Sequence, residues 1–426
     1  MSNLQTQLQK IREGFHPTFW VANGMELFER LAFYGQKIVM SLYLRDRLGF
    51  TETESGQLSG MFGGMIYLLP IIGGTLADKW GFKRAFSVAF TILALGYFLV
   101  GSVGMTAFQG LYENASQYWL LMAFLFFTAV GGSFIKPSVL GTVAVTSTAE
   151  TKSLGYAIYY WLVNIGAAIG PTIAYFVRDS FGMEFVYVVS SLSCLAMLVV
   201  NIMMYKEVKS EMTEVSESLG KKIANLFLVL GNLKFMILLL LFSLYWIMFW
   251  QEFIILPYYI IDFIDPNAPF EFIQSWSAAG AIILLQIPVN YLTKHIHTRT
   301  AILVGFAVSS LCWLIIGLHP SIPTIVAGIV AFALGEIMQA PRYYEYISEI
   351  APPGQQGLFQ GYAFLPIAIA LFVGDPFGGW IYENAKHTSN PGIIFFILFG
   401  VGVAATLLMA VYNVVVARQE SKQASS

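Results

Sequence analysis

Charge is scarce in this chain of 426 residues. Asp, Glu, Lys and Arg make up 11% of it, whereas a soluble domain carries about 25%. With 57% apolar residues and a mean hydropathy of +0.67, this excludes an ordinary soluble fold. Cysteine is nearly absent. Cys194 and Cys312 lie in apolar segments far apart, which suits helix-packing thiols rather than a disulfide, a metal site or a nucleophile. The histidines (His16, His295, His297, His319 and His387) are dispersed, and no metal-ligand spacing stands out. No phosphate-binding GxxxxGK[ST] is present, so ATP does not drive the protein directly. Neither a catalytic constellation nor an appended signalling domain is visible, so an enzyme or a receptor is not expected. No cofactor and no nucleic-acid partner is expected either. The polar stretch Met1–His16 lacks the charged start, apolar core and cleavage site of a signal peptide, so the first membrane helix is expected to direct insertion. No lipidation motif is evident.

What the chain does have is long apolar runs. They recur throughout and predict an all-α membrane protein of twelve transmembrane helices. The expected spans are 17–44, 54–78, 84–107, 116–146, 153–178, 183–205, 233–262, 273–293, 299–318, 322–349, 356–383 and 391–417. The long polar stretch KEVKSEMTEVSESLGKK (Lys206–Lys222) suits a cytoplasmic linker. The expected organisation is therefore an N-terminal six-helix bundle (1–205), a linker (206–232) and a C-terminal six-helix bundle (233–426).

The halves look related. LADKWGFKR (Leu76–Arg84) and LTKHIHTR (Leu292–Arg299) are short basic turns that follow the second and eighth spans. Pro137 and Pro171 have counterparts at nearly equal spacing in Pro341 and Pro376. Matches in register half a chain apart predict two pseudo-symmetric bundles. Lys10, Arg12, Lys79, Lys83, Arg84, Lys152, Lys206, Lys234, Lys294, Arg299 and Arg418 fall on the side of both termini. Arg45, Arg47, Arg178 and Lys386 fall opposite. The positive-inside rule then places both termini in the cytoplasm, with the protein in the cell's inner membrane.

The few charges inside spans carry the functional signal. Within ELFERLAFYGQK, residues Glu26, Glu29, Arg30, Phe33 and Lys37 occupy an arc of roughly 100° on a helix and climb about 16 Å. Each charge costs about 2.5–3.5 kcal/mol at the centre of a span. Such a stripe must face a wet cavity or other charges. Lys136, beside Pro137 in GGSFIKPSVLG, is another mid-membrane cation, and Glu26 and Glu29 are its candidate partners. Pro137 weakens the local backbone ladder and can kink its helix. Asn164 in YYWLVNIGAAIGP is a candidate cavity residue, although an interhelical hydrogen bond is an equal account of it. The small residues Gly166–Gly170 permit close packing. Glu336 lies deep in an apolar segment, where a lone carboxylate would be held protonated.

Several of these segments resemble known signatures. GGTLADKWGFKR (Gly73–Arg84) resembles the loop between the second and third spans of the major facilitator superfamily, G-x-L-A-D-[RK]-x-G-[RK]-[RK]. That resemblance implies a conformational latch made of Gly73, Asp78, Lys79, Gly81, Lys83 and Arg84. ELFERLAFYG resembles the first-helix signature E-x-x-E-R-F-x-Y-Y-G of the proton-coupled oligopeptide transporters. Glu26, Glu29, Arg30, Tyr34 and Gly35 match it, Leu31 and Phe33 depart from it, and Lys37 stands where arginine is common. Lys136-Pro137, the segment around Asn164 and Gly335-Glu336 resemble that family's fourth, fifth and tenth helices.

The resemblance implies proton-coupled symport of di- or tripeptides, or of peptide-like small solutes, by alternating access. Glu26, Glu29 and Glu336 would handle the proton, the only coupling ion. Arg30, Lys37 and Lys136 would bind the substrate carboxylate and Glu336 its ammonium. Tyr34, Tyr67, Tyr159, Asn164 and Trp250 would shape the pocket. The seventh span departs from the family: Trp250 stands in YWIMFWQEF where a glutamate is usual, and Glu252, two positions on, is expected to point elsewhere. That loss, with 15% aromatic residues, leaves a proton-antiport exporter of amphipathic molecules on the same fold as the alternative.

Overall fold

The computed structural model describes residues 14–148, 150–208, 229, 231–352 and 356–424. The start of the chain through residue 13 and most of the expected linker lie outside the described residues. The described residues are almost entirely helical, and the sole β pairing among them is an isolated bridge between Phe15 and Ser147.

The long helices are α1 (Pro17–Leu42), α2 (Glu52–Leu68), α3 (Pro70–Trp80), α4 (Phe82–Val103), α5 (Gln117–Gly132), α6 (Ile135–Thr146), α7 (Lys152–Phe181) and α8 (Met183–Met204). They continue as α9 (Leu233–Tyr259), α10 (Phe270–Thr293), α11 (Thr298–Leu318), α12 (Ile322–Ile350), α13 (Leu365–Ala385) and α14 (Ile393–Ala424). Among the described residues, ten helical segments are long and apolar enough to cross a membrane, with α5 and α6 forming one span. The pair α2 and α3, bent by 43°, makes an eleventh. Helix α1 is long enough at 26 residues, but Glu26, Glu29, Arg30 and Lys37 interrupt its apolar composition. With α1 included, the count reaches the twelve expected.

Local chemistry sets the boundaries. Pro17 opens α1, and the His16 ring nitrogen Nδ1 accepts from the Thr18 amide at 3.2 Å. Pro70 opens α3 immediately after the break at Leu69. Gly81 and Gly182 make the turns into α4 and α8 with φ of +86° and +109°, values open to glycine and costly for other residues.

By packing, the chain divides into two compact units: Met1–Leu48 with Met61–Lys222, and Gly49–Gly60 with Ile223–Ser426. The segment Gly49–Gly60 groups with the second unit, and its glycines at 56 and 60 seat on α13. A Cβ on Gly60 would lie 2.5 Å from the Leu371 carbonyl, and one on Gly56 would collide with the Asp375 carbonyl.

Within the first unit α1 packs on α7 and α8, and α4 packs on α5 and α8. Within the second, α9 packs on α13, α11 on α12 and α14, and α10 on α12. Lipid tails are as apolar as leucine, so close backbone approach at small residues replaces the hydrophobic drive between helices. Large apolar side chains such as Trp161, Leu192, Leu284 and Ile287 are exposed. In water they would form association patches, whereas apolar surroundings such as a bilayer accommodate them.

Candidate functional site

In the first unit, α1 carries an ionic cluster that is nearly removed from solvent. Glu26, Glu29 and Arg30 are 0%, 2% and 3% exposed. The Arg30 guanidinium lies between the two carboxylates. Its Nε is 3.3 Å from Glu26 Oε1 and donates to Glu29 Oε2 at 2.5 Å, and a terminal nitrogen also contacts Glu29. The planar fork of arginine suits such two-sided pairing. Glu26 has the less complete set of partners: neither carboxylate oxygen receives a hydrogen bond from the described residues. Arg30 also stacks over Phe33, 5.1 Å from the ring centroid.

Close packing holds Arg30 in place. The α7 segment Gly166–Gly170 lies directly against it. A Cβ on Gly166 would be 2.5 Å from the Arg30 Cβ, and one on Gly170 would be 2.6 Å from the Leu31 carbonyl. The glycines therefore set the α1–α7 approach that places Tyr159 within electrostatic reach of Glu26, Glu29 and Arg30.

Lys136 at the start of α6 completes the cluster. It is half-buried, its ammonium sits 4.5 Å over the Tyr67 ring, and Glu26, Glu29 and Arg30 all act on it electrostatically. Tyr34, Tyr67 and Tyr97 lie within the field of the same charges. The structure thus brings together Glu26, Glu29, Arg30, Tyr34, Tyr67, Lys136 and Tyr159. Two carboxylates, two cations and a ring of phenols can hold a proton, a carboxylate or both.

Of the other candidates, Lys37 and Trp250 are buried and Asn164 is half-buried. Lys37 is 1% exposed on the stripe two helical turns beyond Arg30. The Asn164 amide donates to the Tyr160 carbonyl of its own helix at 2.8 Å. Trp250 belongs to the second unit, 2% exposed, between Phe249 and Phe253 with centroids 5.2 and 5.3 Å away.

The second unit has its own buried polar groups. Glu252 on α9 is 1% exposed and accepts from the Gln274 amide on α10 at 3.3 Å. It therefore points into the unit, where it lies in the electrostatic field of Glu336. Ser59 of the segment Gly49–Gly60 donates to Asp375 on α13 at 2.7 Å. Lys386 bonds Glu52 at 2.6 Å, and Glu383 accepts from the Thr53 amide at 3.1 Å and from its hydroxyl at 2.5 Å.

At the expected latch, Gly73 and Gly74 abut Ser133 and Pro137 at the junction of α5 and α6, and Gly81 makes the turn. Asp78, Lys79 and Arg84 are exposed. Lys83 donates from its side chain to the Ile202 carbonyl at 3.1 Å. Glu207, which sequence reasoning passed over as a linker residue, accepts from the amides of Phe82 and Lys83 at 2.9 and 2.7 Å. It caps α4 at the positive end of its dipole. Among the described residues, no group of three or more His, Cys, Asp or Glu is arranged to hold a metal ion.

A sequence model of the Major Facilitator Superfamily matches residues 25–283 and 267–426. The Dipeptide and tripeptide permease A of Cronobacter turicensis is 31% identical over 195 residues, which is 45% of this chain and 37% of that protein. The chain thus spans well under half the length of that relative. The Multidrug resistance protein MdtH of Salmonella newport is 21% identical over 378 residues, covering 87% of this chain and 89% of its own. A structure solved in a study of substrate recognition in proton dependent oligopeptide transporters superposes with a TM-score of 0.72 at 20% identity, covering 93% of this chain and 97% of the other. At that identity the likeness is one of fold.

Proposed function

As this multi-pass membrane protein belongs to the major facilitator superfamily, we propose that it is a secondary active transporter coupling proton entry to uptake of di- or tripeptides or peptide-like solutes. The observation that carries this reading is the buried Glu26–Arg30–Glu29 arrangement with Lys136 in its field. The peptide-permease likeness of 31% identity agrees with it.

At rest, Arg30 is engaged by both carboxylates. A proton arriving from outside binds Glu26 or Glu29 and cancels one negative charge. Arg30 is then released from one partner. Together with Lys136 and Lys37 it presents positive charge to the carboxylate of an incoming solute, while Tyr34, Tyr67 and Tyr159 supply phenolic contacts. Alternating access exposes the loaded site to the side of lower proton activity, where proton and solute leave. The proton is the sole coupling ion, and no resident cofactor is required. Both termini lie in the cytoplasm, consistent with the lysine and arginine distribution.

Reconstitution into liposomes tests the reading. An inward proton gradient should drive accumulation of a labelled dipeptide, and Glu26→Gln and Lys136→Ala should abolish it while leaving the melting temperature near that of the parent. Undiminished accumulation by both variants would overturn it. The 87% coverage by the multidrug resistance relative favours one second reading, a proton-antiport exporter of amphipathic compounds. Solute movement against the proton gradient rather than with it would select that alternative.

A further inference from the structure

An open apolar groove runs along the first unit between α1, α7 and α8. It consists of two recesses of about 360 and 280 Å³ that share Phe28 and Met197 as walls. Its lining on α1 begins at Trp20 and ends at Gly35, a climb of about 22 Å at roughly 1.5 Å per residue. The groove's hydroxyls belong to Ser190 and Ser193 of α8, and both donate to α1. Ser190 donates to the Ala32 carbonyl at 3.1 Å and Ser193 to the Phe28 carbonyl at 3.2 Å. With both protons engaged, the walls from Phe28 to Gly35 offer a polar guest no side-chain donor, and a hydrocarbon guest loses nothing by entering.

Charge is confined to one end of this groove. Where α1 begins and α8 ends, Trp20 and Met204 line it, 45% and 59% exposed. Lys206 follows two residues after Met204 and is exposed. Its carbonyl accepts from the Thr18 hydroxyl at 3.0 Å, which fixes its backbone beside the start of α1. Lys83 brings a second cation to the end of α8, where its ammonium donates to the Ile202 carbonyl at 3.1 Å. The nearby carboxylate, Glu207, is engaged by the amides of Phe82 and Lys83. An apolar channel that ends in a tryptophan and then a lysine has the polarity of a phospholipid read from tail to headgroup. One leaflet contributes about 15 Å, half of the hydrocarbon core, so the groove is long enough to take an extended acyl chain.

We propose that this groove binds one acyl chain of a membrane phospholipid, with an anionic headgroup held at Lys206. The chain lies over Leu31, Ala32 and Gly35 and against Gly170 and Ala174. This is the seam where a Cβ on Gly35 would come 3.1 Å from the Gly170 carbonyl. A hydrocarbon chain there supplies dispersion contacts to a seam that is otherwise open on that side, and so backs the α1–α7 contact that carries Arg30. The site stands on the membrane fold and is independent of which solute the protein moves.

Native mass spectrometry of the full chain, purified in detergent and titrated with phosphatidylglycerol or phosphatidylcholine, tests the site. The parent should hold one lipid in preference to further ones and favour the anionic lipid. Lys206→Gln, a surface change, should cut that preference by about fivefold, the usual worth of one lysine beside an anionic headgroup. Ala196→Trp places an indole in the groove from its exposed wall and should remove the first bound lipid of either kind. Phosphatidylglycerol should also raise the melting temperature of the parent and not that of Ala196→Trp. An unaltered preference in Lys206→Gln would overturn the headgroup assignment. Equal lipid retention by Ala196→Trp and the parent would overturn the groove as the binding site. Loss of a dimer mass in Ala196→Trp with its lipid adducts unchanged would show the face to be an interface between copies of the chain, and would equally refute the lipid site.

Discussion

The Ser59 hydroxyl donates a 2.7 Å hydrogen bond to the carboxylate of Asp375, although 316 residues separate them. Both side chains are fully buried, and glycines at 56 and 60 bring the backbones together around them. Ser59→Ala should therefore destabilise the protein by about 1–3 kcal/mol, the cost of removing a donor from a buried carboxylate. Gly60→Val should cost at least as much, because its side chain has no space beside the Leu371 carbonyl. Thermal melts in detergent check both, and a Ser59→Ala melt equal to the parent would contradict the importance of the bond.

Arg30 answers two carboxylates at once, so its shape matters as well as its charge. Arg30→Lys should keep the protein folded but reduce uptake strongly, because a point charge cannot hold both acids in the same geometry. Arg30→Ala should cost about 3–5 kcal/mol, since it strands buried charge. Uptake assays and melts run on both variants distinguish the two effects.

The glycine contact at α7 gives a third expectation. Gly166→Leu should push α1 away from α7 and displace Arg30, lowering uptake even where protein is recovered from the membrane. Gly24→Ala on α1 serves as a control, because a Cβ there meets nothing within 4 Å. Equal uptake by the two variants would count against the packing argument.

Glu207 offers a test away from the charged cluster. Glu207→Ala should lower stability by about 0.5–2 kcal/mol, the usual worth of a helix cap. Glu207→Gln, which keeps an acceptor but removes the charge, should recover part of that loss. High salt should narrow the gap between parent and Gln variant, because the charge is exposed.

The charged stripe of α1 was legible in the sequence because a charge in an apolar helix is too costly to be incidental. The helix count followed from apolar run length, with α1 recognisable despite the charges that break its composition. Other features were hidden for identifiable reasons. Glu252 lies on a helix that is apolar nearly all round, so the pattern alone gives no rotation and its direction depends on the helices that surround it. Glu207 sits in a polar stretch where a carboxylate attracts no notice, and only folding brings it to the amides after Gly81. The pairing of Ser59 with Asp375 depends on a contact between distant segments, and neither short motif announces it. Asn164 donates to the carbonyl one turn earlier on its own helix, a local bond that the motif does not announce.

Ionised together, Glu26, Glu29, Arg30 and Lys136 sum to electroneutrality in a region of low dielectric constant. A solute carboxylate entering alone would leave an uncompensated anion there, and a proton entering alone an uncompensated cation. Admitting both together keeps these four side chains in electrical balance.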